Sequence, residues 1–367
     1  MSSDYLLKGK VPLLARIKWS QSVTLEFHRT KPANLDALAR LLISVFDASP
    51  DAIFANSQVL RWKYFESGPH WENSRSYILS ADGEIQAHCA VWPLNLQFSG
   101  QRLTCNCFID WVNAGNFPGA GFMLKRKLLD LSEISIVVGG SDDTRAIVPR
   151  LGFEHAGDVV LFARVVRPWA QFRTRPREPI WKGTARLLRN AILSQSPAGA
   201  IYKSWSAVRL DSFESVVHCQ PESDYPSPWR DSNYLNYWLR CPAAVVRGYA
   251  ILNHDSEIGY FLLSHAGGQT RIADIRLRSQ DAEHWTAAYR LATKVAGELP
   301  ETCEVLAAAS TPWAAEALTA SGFRNCGSVP FFLYDPKKKL AGAPPIFWNM
   351  IEGDAAYLQD QAYPYAT

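Results

Sequence analysis

From residue 34 to residue 46 apolar side chains recur at helical spacing, with Leu35, Leu38, Leu41, Leu42 and Val45 on one face and Asn34 placed to cap the start. Alternation just before it, over residues 23–27, predicts a strand. After the aromatic and basic stretch Arg61-Trp62-Lys63-Tyr64 the period returns to two, with strands at 76–81, 85–92 and 103–112 and a turn at Asp82-Gly83. A glycine-bearing turn from Asn116 to Gly121 leads into a helix over 122–131. A β-branched strand at 134–138, a helix over 142–151 and a strand over 159–166 follow. Together these elements make one mixed α/β unit.

The same order recurs about 170 residues further on, the mark of a duplication. Ser256-Glu257-Ile258 answers Gly83-Glu84-Ile85, and the strand 271–277 answers 103–112, with Asp274 opposite Asp110. The best internal match pairs 134–164, containing Arg150-Leu151-Gly152-Phe153, with 305–334, containing Ala320-Ser321-Gly322-Phe323. Two tandem domains are therefore predicted, at 1–168 and 207–336, each a mixed, mostly antiparallel sheet flanked by helices. Residues 169–206 read as a linker rich in Arg (Arg173, Arg175, Arg177, Arg186, Arg189) with one helix over 183–193. Residues 337–367 read as a tail. In it Pro344-Pro345-Ile346-Phe347-Trp348-Asn349-Met350 is apolar enough to pack back on a domain, and 357–367 looks frayed.

Composition narrows the class. Of 367 residues, 47% are hydrophobic and 20% charged, with 13 Trp, 14 Tyr and 17 Phe, which is enough apolar surface for two cores and unlike a disordered chain. Lysines and arginines number 38 against 35 acidic residues, so a net charge of +3 gives no global pull toward nucleic acid or an anionic membrane. Any anion must be recognised locally. The seven cysteines (Cys89, Cys105, Cys107, Cys219, Cys241, Cys303, Cys326) contain no C-x-x-C pair, which argues against a disulfide framework or a thiolate metal site. No metal is expected. The opening residues lack the basic start and apolar core of a signal peptide, and no window approaches the ~20 apolar residues of a membrane span, so a cytoplasmic location is expected.

The segment with chemical content is Phe108-Ile109-Asp110-Trp111-Val112-Asn113-Ala114-Gly115-Asn116-Phe117-Pro118-Gly119-Ala120-Gly121-Phe122-Met123-Leu124. An apolar strand enters a helix through a turn of small side chains. Such a turn either is simply tight, or lets successive amides and the positive end of the helix converge on a phosphate. It is not a P-loop, since no Gly-Lys-Ser/Thr follows. Nor is it G-x-G-x-x-G, since Leu124 occupies the third glycine position.

The order of elements around this turn resembles the GNAT acyltransferase superfamily. There the pattern Arg/Gln-x-x-Gly-x-Gly/Ala follows the fourth strand and binds the pyrophosphate of acyl-coenzyme A; here Asn116-Phe117-Pro118-Gly119-Ala120-Gly121 stands in that place. Both glycines match, Asn116 replaces the usual Arg or Gln, and Pro118 removes one donor N–H. The resemblance covers 23–167 and, more faintly, 208–335. It implies that Asn116, Phe117, Gly119, Ala120 and Gly121 hold acetyl-CoA or a longer acyl-CoA, and that a backbone N–H at Trp111 or Val112 polarises the thioester carbonyl. In the second copy the equivalent stretch, Arg278-Ser279-Gln280-Asp281-Ala282-Glu283-His284-Trp285, has no glycine and two acids, which would repel a diphosphate. The chain is thus similar to tandem GNAT proteins with one donor-binding domain and one degenerate domain.

Acyl transfer to an amine asks for a base, a polarised carbonyl and a proton for the departing thiolate. Asp110 is the first candidate base: it lies among apolar strand residues, where burial would raise its pKa. The alternative is an ion-paired structural Asp, because Asp274 recurs in the second copy. His88, interrupting a strand, is either a second base or a satisfied core histidine. The family's Tyr, four residues before the Gly of Gly-Phe, is Val148 here. Arg61, Trp62 and Tyr64, with Trp71 and Trp92, either line an acceptor pocket or belong to the core. The Arg-rich linker is a solvated connector or a contact for a phosphorylated ligand or carrier protein. The leading function is an N-acyltransferase moving an acyl group from acyl-coenzyme A to a small-molecule or peptide amine. The alternatives are a carrier-protein or aminoacyl-tRNA donor, or a non-catalytic acyl-CoA-binding protein; no other nucleic acid and no membrane partner is expected.

Overall fold

The computed structural model describes residues 24–68, 71–174, 179–194, 201–214, 225–359 and 365–367. The opening residues with Val23, Arg175 and Arg177 of the linker, and Cys219 lie outside the described residues.

The first half runs β1 (Glu26–Arg29), α1 (Leu35–Val45), α2 (Ser57–Tyr64), β2 (Ser76–Ala81), β3 (Glu84–Phe98), β4 (Gln101–Asn113), α3 (Ala120–Leu128), β5 (Ile134–Val138), α4 (Asp142–Ile147) and β6 (Glu154–Val165). Helices α5 (Pro168–Thr174) and α6 (Ile180–Ser194) connect it to the second half: β7 (Trp205–Leu210), β8 (Ser227–Pro228), α7 (Ser232–Leu239), β9 (Val245–Asn253), β10 (Ser256–Ala266), β11 (Gln269–Leu277), α8 (Ala282–Glu298), β12 (Glu304–Ala309), α9 (Pro312–Ala320) and β13 (Arg324–Tyr334). The aromatic stretch 61–64 thus closes a helix, and the linker holds two helices where one was expected. Helix α6 begins three residues earlier than 183 because Pro179 accepts the first helical bonds, from Lys182 and Gly183.

Among the described residues the strands form one sheet in the order β1-β2-β3-β4-β5-β13-β6-β12-β11-β10-β9-β7, with β8 on the side of β3. The duplication is visible in it. Each half is an antiparallel ladder ending in one parallel pair, β4 with β5 and β11 with β12. The closing strands are exchanged: β13 pairs with β5, β6 pairs with β12, and β6 and β13 pair with each other at the centre. Neither half leaves its fifth strand as an open edge, which would expose a row of unpaired amides.

Alternation along β4 sorts the core. Phe108 turns to one face, where Leu124 and Leu128 of α3, Val148, Leu151 and Phe153 cover it. Cys105, Cys107 and Ile109 turn to the other, where α1, α2, α7 and the C-terminal segment build a cluster that continues into β10 and β11 through Tyr260, Leu262 and Ala273. A third cluster gathers under α8 and α9. The stretch around Trp348 and Met350 packs back on the core as expected, and of the described residues expected to fray, Tyr357 is buried and Thr367 hydrogen-bonds the buried Glu304. Leucine-sized and aromatic burial of that extent outweighs the entropy of an ordered tail.

Candidate active site

The parallel pairing of β4 with β5 lasts only from Cys105 to Cys107, opposite Ile134 to Ile136. Beyond it the strands part, because β4 carries a bulge: His88 faces Val112 and Ala90 faces Ile109, so Asp110 and Trp111 share the single position of Cys89. Asp110 takes φ +50°, the left-handed region that Asp tolerates better than most residues. The gap is a cavity of about 380 Å³ lined by Phe108, Asp110, Trp111 and Lys125 on one wall and by Val137, Gly139, Gly140, Ser141 and Thr144 on the other. Trp348, Met350, Gly353 and Asp354 of the C-terminal segment close it from the α2 face.

Asp110 is tied down. Lys63 Nζ lies 2.6 Å from its Oδ2, with both side chains buried, and the Tyr64 hydroxyl donates to the same oxygen at 2.6 Å. Burial by itself would raise this carboxyl, as the sequence implies, but the Lys63 charge and the two hydrogen bonds outweigh burial and hold it below the usual carboxylate range. The expected upward shift is therefore corrected to a downward one. Asp354 stands differently. It lines the same cavity, and burial, reinforced by the Asp110 charge and only partly offset by Lys63, lifts it to about 6.

His88 is buried and spoken for on both ring nitrogens. Nδ1 meets the Asp110 carbonyl at 2.9 Å, and Nε2 meets Ser76 Oγ at 2.8 Å, which in turn meets Thr30 Oγ1 at 2.6 Å. Burial lowers the imidazole to about 4 despite the neighbouring Asp110. It is neutral at physiological pH and pins the bulge backbone. Of the three expected acceptor-pocket residues, only Tyr64 reaches the site, through Asp110. Trp62 is a core residue, stacked on Tyr237 at 4.8 Å and tilted against Trp92 at 5.7 Å, while Arg61 is exposed. Neither lines the cavity.

At the far end of the bulge the glycine turn enters α3. Gly119 is its N-cap at φ +86°, and a Cβ there would meet open space. Trp111 Nε1 donates to the Gly121 carbonyl at 2.9 Å, and a Cβ on Gly121 would come within 3.2 Å of that nitrogen, so the indole locks the first turn onto β4. Val112 is buried, whereas Asn116 and Gly119 are exposed and Phe117 and Ala120 pack inward. Gly119 thus leaves the positive end of α3 open at the surface, although the Ala120 amide is taken by the Phe117 carbonyl at 3.1 Å; an open helix end of this kind suits an anion. The equivalent end of α8 is filled by its own sequence: Asp281 caps it, accepting from the Glu283 amide at 2.7 Å.

The second half repeats the ionic cluster. Asp274 on β11 accepts from Arg230 Nε at 2.9 Å and from the Tyr260 hydroxyl at 2.9 Å, and Arg230 also binds Glu352. Sequence reasoning had Lys63 within the 61–64 stretch but not as the partner of Asp110, and it missed Lys125, Glu352 and Asp354. Lys63 and Lys125 each break an apolar helix face, a readable signal. The two acids lie in the C-terminal segment, whose destination no local pattern reports. Among the described residues there is no group of three or more His, Cys, Asp or Glu suited to a metal, no helix is long and apolar enough to cross a membrane, and the six cysteines are free.

No protein-family model and no curated protein sequence matches the chain. Solved structures do. A GCN5-related N-acetyltransferase from Anabaena variabilis ATCC 29413 superposes with a TM-score of 0.57 at 13% identity, over 84% of this chain and 72% of that one. A tandem GNAT protein from the clavulanic acid biosynthesis pathway gives a TM-score of 0.51 at 12% identity, over 85% of this chain and 98% of that one. The fold is that of the GNAT proteins, in tandem.

Proposed function

We propose that the protein is an N-acyltransferase that takes an acyl group from an acyl-coenzyme A thioester and delivers it to an amine. One observation carries the reading: Trp111, which lines the cavity together with Asp110 and Asp354, is also hydrogen-bonded to the first turn of the glycine-started helix α3, so the helix terminus and the two carboxylates stand around one indole. The open end of α3 at Gly119 receives the pyrophosphate, with Asn116 as a neutral partner. The bulge at Asp110 and Trp111 supplies a strand amide outside the ladder for the thioester oxygen. Proton removal from the amine falls to Asp354, whose raised pKa suits a base working near neutrality. Asp110, fixed as an anion by Lys63, orients and attracts the incoming ammonium.

Titration calorimetry with acetyl-CoA and with longer acyl-CoAs tests this directly: binding by any of them is expected, and binding by none refutes the reading. A mass-spectrometric screen of amines in the presence of the bound donor then identifies the acceptor. A carrier-protein donor is the second reading, favoured by the α5–α6 hairpin. There Trp169, Ile180, Trp181, Leu188 and Ile192 are exposed beside Arg173, Lys182, Arg186 and Arg189, a surface suited to an acidic helical partner. Transfer from acyl carrier protein with none from acyl-CoA would select it.

A further inference from the structure

Helix α3 carries a lysine where its spacing calls for an apolar side chain. Ala120, Gly121, Leu124, Lys125 and Leu128 are its buried stripe, and Lys125 is 1% exposed. A buried ammonium is normally paired, since an isolated charge in an apolar interior is strongly unfavourable. Lys125 is not. Among the described residues no carboxylate pairs with it and no hydrogen bond ends on its Nζ, which sits instead 3.9 Å from the centre of the Trp111 ring, 4.7 Å from Phe108 and 5.4 Å from Phe153. The titratable groups facing it are thiols: Cys89 of β3, pushed up to about 12 by burial, and Cys107 of β4, pushed up likewise, so neither offers it a negative charge at neutral pH.

Its position gives this charge a use. Lys125 lines the same cavity as Asp110 and Asp354 but stands on the α3 face, one helical turn beyond Gly121. A thioester reaching from the helix terminus toward the carboxylates presents its carbonyl carbon to an amine on the carboxylate side and its sulfur on the α3 side. Val148, buried on the neighbouring helical turn, has no proton to give. Resting on the acyl-thioester reading above, we propose that Lys125 is the acid that protonates the departing thiolate.

The step balances. The amine lone pair forms the C–N bond, the C–S bond breaks with its electron pair going to sulfur, and the Lys125 ammonium gives that sulfur a proton. The neutral Lys125 amine is then reprotonated from solvent, and the proton taken from the acceptor leaves through Asp354. Burial brings Lys125 down to about 8, so the group gives up its proton readily near the working pH.

The test uses coenzyme A itself and follows the thiolate by its ultraviolet absorbance, with desulfo-coenzyme A as the blank. In the wild-type complex the bound thiol is expected to ionise at least about one pH unit below free coenzyme A, the effect of a nearby ammonium. Lys125→Met should abolish that shift while changing coenzyme A affinity less than about threefold, and should raise the melting temperature below pH 8 because an unpaired buried charge is gone. A merely structural lysine would instead lower the melting temperature and leave the thiol titration as it was. An identical thiol titration in wild type and variant overturns the role of Lys125 alone; failure of wild-type protein to bind coenzyme A overturns the donor reading with it. Should Lys125→Met not fold, a wild-type complex whose thiol titrates at or above the free value is equally decisive against the proposal.

Discussion

Asp354→Asn separates a carboxyl held against its ordinary ionisation from one that merely decorates a cavity. Burial, with Asp110 adding to it, lifts the folded-state pKa to about 6 from an ordinary 3.8. When the folded value lies above the unfolded one, the contribution to stability is fully present below the unfolded pKa and is lost as pH rises through the folded pKa. The gap of 6 − 3.8 = 2.2, at 1.36 kcal/mol per unit, sets a ceiling of about 3 kcal/mol on the cost carried above pH 6. Asn keeps the shape and removes that cost. The wild-type curve alone would hide it, because His88, lowered to about 4, loses stability as pH falls through an overlapping window. The quantity to measure is therefore the difference between variant and wild type, by urea denaturation near pH 4 and near pH 7.5. It should be close to zero at the lower pH, and at the higher pH the variant should be more stable by about 1–3 kcal/mol. The same variant should lose roughly 10²–10⁴ in turnover as its base disappears, with donor affinity retained. A variant of equal or lower stability near pH 7.5, or one that is fully active, would show that Asp354 neither carries the ionisation penalty nor serves as the base.

Asp110→Asn leaves the Lys63 ammonium buried without its carboxylate and should cost about 3–5 kcal/mol, most of it recovered in the double variant with Lys63→Met; calorimetric melting of the three chains checks both halves of that claim. His88→Gln should flatten the acid limb of stability between about pH 6.5 and 4, because wild-type His88 has its folded pKa depressed by burial and its contribution falls as pH drops through that window. Far-ultraviolet circular dichroism against pH reads this, and an unchanged limb would contradict it. Gly119→Glu, which places a carboxylate at the open end of α3, should weaken acetyl-CoA binding by roughly tenfold or more, whereas Asp281→Lys on α8 should leave it unaltered. Comparable losses from both changes, measured by calorimetry, would contradict a single donor site.

Local physics was legible along most of the chain. Period-two and period-3.6 patterns placed β2, β5, α1 and α3, and the strand–glycine–helix turn at 108–124 was legible as a turn into α3, because turns and amphipathic faces are determined by neighbours in sequence. The duplication was legible too, down to Asp274 opposite Asp110, each now seen bound to a buried cation and a tyrosine hydroxyl. What period and spacing could not reveal was partnership across the fold. That β6 and β13 change places follows from which strand edge is left open once both halves have collapsed, a long-range choice with no local signature. Whether a carboxyl is a base or a counter-ion likewise depends on its neighbours in space. Lys63 lies on α2 and Asp354 in the C-terminal segment, far from Asp110 in sequence, yet in the fold Lys63 pulls Asp110 down while burial, with the Asp110 charge, pushes Asp354 up. Burial makes each charge matter and tertiary packing decides which charges meet, so the composition of the site could be read in part from the chain while its ionisation belonged to the folded structure.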